Sequence, residues 1–106
     1  MPKKEAGSAA MLVLALLKSR EMYGYEIMEE LARRSDNVFQ YKEGTLYPLL
    51  HTLERDRLVT AREAAAPSGR VRRYYAITRK GLGALEEKRR EWNTYSAAVT
   101  AILAGT

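Results

Sequence analysis

The sequence has few of the residues on which metal and catalytic sites depend. It contains no cysteine and one histidine, which excludes disulfide bonds, thiol catalysis and thiolate metal sites. A single histidine cannot build a multi-histidine metal cage, and a hydrolase triad would depend on that residue alone. The paired acids Glu29 and Glu30 alternate with cations, as on a solvated helix face. We therefore expect no catalytic residues, no metal and no cofactor.

Long hydrophobic runs are also missing. The longest, from Ala9 to Leu17, is far shorter than the ~20 residues that a membrane-spanning helix needs, so we expect a cytoplasmic protein without membrane contact. The 106 residues, of which 46% are hydrophobic and 29% charged, are typical of one globular domain. Because a chain this short folds alone only marginally, its length favours a partner surface.

Cations outnumber acids in one segment only. The chain has 18 lysines and arginines against 13 acids, a net charge of +5, and residues 1–63 and 81–106 each balance to zero. The whole excess lies in a segment without acids, at Arg70, Arg72, Arg73, Arg79 and Lys80. Charge concentrated in this way attracts a polyanion. The segment favours nucleic acid as a partner, with a solvated basic patch as the alternative.

The hydrophobic periodicity predicts four helices and one β-hairpin. Ser8 is expected to cap the first helix, and Ser35, Asp36 and Asn37 are expected to end the second. The helices are predicted at Ala9–Lys18, Tyr25–Arg34, Gly44–Asp56 and Arg79–Leu103, with a loop at Arg20–Tyr23. The hairpin strands are predicted at Leu58–Glu63 and Val71–Thr78, around the turn-rich segment Ala64–Arg70.

The third predicted helix has an apolar face and a mixed polar face. The apolar face follows the i, i+3, i+4, i+7 spacing of a buried stripe with Leu46, Leu49, Leu50 and Leu53. Pro48 is expected in the first helical turn, where little or no backbone donation is lost. The opposite face mixes small, hydroxylic and cationic groups without an acid at its centre: Gly44, Pro48, His51 and Arg55, flanked by Thr45, Tyr47 and Thr52.

The last predicted helix is too long to bury its apolar side on a domain of this size. Its apolar residues follow an approximate heptad at Leu82, Leu85, Trp92, Val99 and Leu103. Tyr95 follows Trp92 by one turn. Self-association is the simplest way to cover this stripe.

These elements together predict a mainly α fold with a small β-hairpin, namely a winged helix-turn-helix followed by a long C-terminal dimerisation helix. In that arrangement the third helix enters a major groove, and the hairpin contacts the DNA backbone or minor groove beside it. We expect residues 1–78 to form the DNA-binding domain and residues 79–106 to form the dimerisation helix, as one continuous unit.

Three motifs resemble the PadR family of transcriptional regulators in order and spacing. They are Tyr23–Ile27 (YGYEI), Lys42–Leu50 (KEGTLYPLL) and Gly69–Thr78 (GRVRRYYAIT), the last followed by Gly81. The resemblance covers almost the whole chain, and the short region that ends at Thr106 is similar to the small branch of the family. It implies a homodimeric DNA-binding regulator, usually a repressor, which in some relatives is released by a small aromatic or drug-like ligand.

The candidate DNA-binding residues come from the third helix and the hairpin. Hydroxyl groups and histidine reach phosphates or base edges, a glycine lets a helix start approach a phosphate, and arginines contact phosphates or the minor groove. The set is Lys42, Gly44, Thr45, Tyr47, His51, Arg70, Arg72 and Arg73. The alternatives are that Tyr47 folds over the edge of the core, that His51 merely faces solvent, and that the hairpin is only solvated.

Side chains of a strand alternate between its two faces. Arg72 and Arg73 are therefore not equivalent. Arg72 is predicted on the side of Tyr74, and Arg73 on the side of Tyr75, and whichever tyrosine faces inward is expected in the core.

Trp92 and Tyr95 have two compatible interpretations. A tryptophan on an interface stripe is expected to anchor the dimer, together with Leu85, Tyr95, Val99 and Leu103. In drug-binding relatives, paired indoles from two subunits stack on flat ligands, so the resemblance implies that Trp92 and Tyr95 line an effector pocket.

The leading hypothesis is a dimeric repressor that binds an inverted-repeat operator in double-stranded DNA. The alternative is a winged-helix protein-interaction or RNA-binding module without operator specificity.

Overall fold

Four helices and three short strands follow one another in the computed structural model, which describes the backbone of residues 2–106 and the side chains of residues 9–106. The elements are α1 (Pro2–Ser19), β1 (Met22–Tyr23), α2 (Gly24–Arg34), α3 (Glu43–Arg55), β2 (Val59–Ala65), β3 (Val71–Ile77) and α4 (Arg79–Leu103). The predicted fold class, a mainly α winged helix with a long last helix, is confirmed.

The predicted helix boundaries agree with the structure except at the first helix. α4 has the predicted bounds, α2 begins one residue before its predicted start, and α3 begins and ends one residue before its predicted bounds. α1 begins at Pro2, not at Ala9, so the predicted start is wrong. The helix continues through a charged segment that carries no apolar periodicity but contains good helix formers, and proline suits a first helical position. The expected cap, Ser8, lies outside the residues whose side chains are described.

Strand β1 is the element that the sequence analysis missed. Its two residues lie in the segment predicted as a loop, and two residues are too few to show a period. Met22 pairs with Tyr75 and Tyr23 with Tyr74. The sheet has the order β1-β3-β2 with antiparallel neighbours throughout, so β3 is its central strand.

The core lies between the helices and one face of the sheet. The leucine stripe of α3 is buried as predicted, with Leu49 partly exposed beside three buried leucines. Tyr75 is the strand tyrosine that faces inward, and its ring lies in the core together with Val13, Leu14, Met22, Ile27 and Leu85. Burial of Leu85 fixes the start of α4 to the body of the protomer.

Pro48 does not lie in the first turn of its helix as predicted. α3 begins at Glu43, after the cap residue Lys42, so Pro48 is the sixth helical residue. It has no N–H group to donate to the carbonyl of Gly44. Its ring lies on the exposed side, and the Thr52 hydroxyl donates to the Pro48 carbonyl at 3.1 Å. The helix continues past the proline because the opposite side is held by the buried leucines.

Two residues join the start of α4 to the loop between α3 and β2. The Thr78 backbone N–H donates to the Leu58 carbonyl at 3.0 Å, and the Thr78 hydroxyl accepts from the Gly81 N–H at 2.9 Å. The Lys80 ammonium donates to the Asp56 carbonyl at 3.0 Å. These bonds cap α4 and set its direction relative to α3.

Within the described part of the chain, no helix has both the length and the hydropathy required to cross a membrane.

Candidate nucleic-acid interface

A groove of about 600 Å³ lies between α3, the start of α2 and the wing, by which we mean residues 59–77 (β2, β3 and their loop). α3 contributes Glu43, Tyr47 and His51 to its lining, and the wing contributes the run from Arg70 to Arg73. The remaining lining residues are Tyr23, Gly24, Tyr25 and Tyr75. The fold therefore places the basic part of the hairpin beside the polar side of the third helix.

Five of the eight candidate DNA-binding residues line this groove. They are Tyr47, His51, Arg70, Arg72 and Arg73. Lys42, Gly44 and Thr45 do not line it, but they are exposed at the start of the same helix. At 100° per residue, Gly44 shares the exposed side of α3 with Pro48, and Thr45 lies on the flank away from the wing.

Tyr47 forms part of the groove wall. Its half-buried ring packs against Gly24, where a methyl group would overlap the ring and its hydroxyl. The pKa of the Tyr47 hydroxyl is raised, first because it is partly desolvated and then because Glu43 is close. This is the packing over the core edge that the sequence analysis left open as an alternative, and it leaves the ring facing the groove on one side.

The two neighbouring wing arginines have different partners, as strand alternation predicts. Arg73 lies on the face of Tyr75, with its guanidinium 5.9 Å from the ring centre, and donates to Glu54 Oε2 of α3 at 2.8 Å. That hydrogen bond is the main reason why the pKa of Arg73 is raised. Arg73 therefore connects the wing to α3.

Arg72 lies on the opposite face of the sheet. Its guanidinium is stacked 4.3 Å from the ring centre of Tyr23. Its pKa is raised, chiefly by a hydrogen bond with the Tyr74 side chain. Arg72 is thus held against aromatic residues at the rim of the groove.

The same outer face continues across the sheet toward β2. The rings of Tyr23 and Tyr74 meet edge to face with centres 5.5 Å apart, and Arg62 stacks on Tyr74 at 5.2 Å. Arg62 also binds Glu21 through two hydrogen bonds, one of them Nε to Oε2 at 3.1 Å. This arginine lowers the pKa of the Glu21 carboxyl.

The sequence analysis missed the acids that border the groove. Glu43 lines it, and Glu54 lies about three turns farther along the same side of α3, where it holds Arg73. Cations and hydroxyls are the groups expected in a DNA-binding site, but helical spacing also places two acids, Glu43 and Glu54, with Tyr47 on the side of α3 that faces the wing. The predicted set of DNA-binding residues also omits Arg55, although this arginine is exposed on the same strip of α3 as His51.

The stripe predicted for dimerisation changes its exposure along α4. Leu85 is only 1% exposed and is already covered by the core of its own protomer. Its side chain therefore has no surface left for a second subunit. Farther along, Trp92 is 45% exposed, Tyr95 47% and Leu103 62%, while Val99 is partly exposed. The Trp92 and Tyr95 rings lie 5.9 Å apart.

Comparison with known proteins gives consistent matches over most of the chain. The model of the PadR-like transcriptional regulator family matches residues 13–87. An uncharacterized protein of Lysinibacillus sphaericus is 38% identical over 81 residues, 76% of this chain and 74% of that protein. The transcriptional regulator Rv3488 of Mycobacterium tuberculosis is 41% identical over 70 residues, 66% of this chain and 62% of that regulator.

A solved structure supports the same assignment. The crystal structure of a PadR-like transcriptional regulator from Bacillus cereus superposes with a TM-score of 0.81 at 33% identity, and the match covers 94% of this chain and 95% of the other. The resemblance noted in the three sequence motifs is thereby confirmed. This chain belongs to the PadR-like family of transcriptional regulators, which bind DNA and are not enzymes.

Proposed function

We propose that this regulator is a homodimeric repressor that binds an inverted-repeat operator through α3 and the wing. The observation that carries the proposal is the groove itself, in which Arg70, Arg72 and Arg73 stand beside the polar side of α3. Positive charge supplies affinity for the phosphate backbone, and a neighbouring exposed helix supplies contacts to base edges.

The exposed side of α3 is proposed to enter the major groove. Thr45 and His51 carry donors and acceptors that can reach base edges. Gly44 has open space around it where a side chain would stand, which lets a phosphate approach the first amides of the helix. Lys42, directly before the helix, adds a phosphate contact. Tyr47 contributes through the face of its ring that lines the groove.

The wing is proposed to hold the phosphate backbone or minor groove with Arg70 and Arg72. Both line the groove, Arg70 from the loop before β3 and Arg72 from the outer face of that strand. Arg73 is proposed to do more than contact DNA, because Glu54 of α3 already binds it. We infer that its ion pair fixes the angle between the wing and α3, so that the two meet one duplex together.

The dimer is proposed to form through the exposed part of the α4 stripe, at Trp92, Tyr95, Val99 and Leu103. This stripe lies in the proposed dimerisation segment, residues 79–106, which continues directly from the proposed DNA-binding domain, residues 1–78. Large apolar side chains left exposed along one helix face are typical of an interface. A twofold dimer places two copies of α3 on half-sites whose centres are about 34 Å apart.

Trp92 and Tyr95 are also proposed to line an effector pocket between the subunits. These two exposed aromatic rings offer flat apolar surfaces to a planar aromatic ligand. Binding of such a ligand in the cytoplasm would release the regulator from its operator. Quenching of Trp92 fluorescence by planar aromatic compounds supports the pocket, and no response across a broad panel contradicts it.

Operator specificity is tested with a duplex from the region upstream of the protein's own gene and a random duplex of equal length. We expect the upstream fragment to bind at least about 1,000-fold more tightly at physiological salt, because specific complexes exceed non-specific ones by that factor or more. A ratio near one for fragments tiled across this region contradicts the proposal and favours a winged-helix module that binds protein or RNA.

A further inference from the structure

We propose that Tyr23 is a positioning residue that holds the Arg72 guanidinium in the orientation in which it meets bound DNA. This inference rests on the proposed function, since it concerns the same groove. It assigns a role to strand β1, which places Tyr23 beside the wing.

The geometry shows a stacked pair that is itself well supported. The guanidinium of Arg72 lies 4.3 Å from the centre of the Tyr23 ring, well within the range of a cation–π contact. The Tyr23 ring is braced on another side by the edge-to-face contact with Tyr74 at 5.5 Å. Its backbone pairs with Tyr74 across the sheet, and its N–H donates to Glu26 Oε1 at 3.2 Å. Tyr23 is therefore a fixed platform.

Stacking suits an arginine that must still make hydrogen bonds. A guanidinium is planar, and its N–H groups lie in that plane, so a ring that covers its face leaves the donors at its edge accessible. Those donors can then bind phosphate oxygens in pairs. A long arginine side chain that is already oriented also loses less rotamer entropy when it binds.

The neighbouring arginines show why Arg72 is the one that is positioned. Among the described residues, ion pairs hold Arg62 to Glu21 and Arg73 to Glu54. Arg72 contacts two tyrosines instead and lines the groove. The Glu26 carboxylate is near enough to help raise the pKa of Arg72, but it is a smaller cause than the hydrogen bond with Tyr74. A carboxylate partner would have to be displaced by a phosphate, whereas an aromatic partner can stay in place while the phosphate binds.

The test is a double-mutant cycle for DNA affinity. It is measured on the fragment of the upstream region that wild type binds most tightly. We expect Tyr23→Leu to weaken binding about fivefold through the lost stacking, and Tyr23→Phe to bind within about twofold of wild type because it retains the ring. In the Arg72→Ala background, Tyr23→Leu is expected to have almost no further effect, since coupled residues are not additive. Equal losses for Leu and Phe, or full additivity with Arg72→Ala, overturn the proposal.

A matched control and a second variant keep the result interpretable. Tyr25→Leu removes another tyrosine of the same groove that is exposed, and its effect should add to that of Arg72→Ala. Arg72→Lys preserves the charge at a surface position and leaves the fold intact. We expect it to lose most of the affinity that Arg72→Ala loses, and full retention of affinity overturns the proposal. If wild type binds no duplex at all, the proposed function itself fails.

Discussion

Replacement of Gly81 by alanine is expected to destabilise the protein by about 2–3 kcal/mol, the upper part of the usual cost of forcing extra volume into a packed site. A Cβ atom at this position would overlap the carbonyl oxygen of Leu58 and lie 2.7 Å from Cγ1 of Ile77. The Leu58 carbonyl cannot move freely, because it accepts hydrogen bonds from the backbone N–H and the hydroxyl of Thr78. Thermal unfolding followed by circular dichroism should show a midpoint lowered by about 8–20 °C for a domain of this size.

Gly83→Ala provides the matched control two residues along the same helix. A Cβ atom there would meet nothing within 4 Å, and alanine is favoured over glycine inside a helix by about 1 kcal/mol. We expect this variant to unfold at a higher temperature than wild type at the same protein concentration. If Gly81→Ala is as stable as wild type, α4 does not cross Leu58 as closely as described.

Replacement of Trp92 by alanine is expected to weaken the proposed dimer by 30-fold or more, because truncation of a central interface tryptophan typically costs about 2 kcal/mol or more. The indole is 45% exposed in the protomer and stands against Tyr95 on the same stripe. Sedimentation velocity over a concentration series measures the dissociation constant. A chain that ends before Glu91 should sediment as a monomer.

Arg90→Ala is the control for this experiment. Arg90 precedes Trp92 by two residues, which places it on the opposite side of α4, and it is exposed. Its removal should leave the dissociation constant within about twofold, the range of surface substitutions away from an interface. A Trp92→Ala variant that remains fully dimeric at the lowest measurable concentration contradicts an interface on this stripe.

The sequence predicted best the elements that carry a long and regular period. The heptad-like stripe predicts α4, and the leucine stripe predicts the buried side of α3. The cap of α4, Thr78, was predicted as the last residue of a strand. Leu85 lies on the α4 stripe but not at the predicted interface, because periodicity shows which residues share a face but not which molecule covers that face. Leu85 is covered by its own protomer.

The chemistry of the site was predictable only in part, for a related reason. Strand alternation correctly separates Arg72 from Arg73. Their partners, Tyr23 and Glu54, are distant along the chain, and no local pattern relates residues so far apart. Strand β1 brings Tyr23 against the central strand of the sheet. With two residues, it is too short to recognise in the sequence.

The salt dependence of DNA binding tests most directly whether the groove between α3 and the wing holds the duplex. Plotted as the logarithm of the binding constant against the logarithm of salt concentration, the slope loses about one unit for each phosphate contact removed. We predict this reduction for Arg72→Ala, and an unchanged slope for Arg33→Ala, which removes an equal charge at the far end of α2 where Glu30 binds it. If Arg72→Ala retains the wild-type slope, the duplex does not lie in this groove.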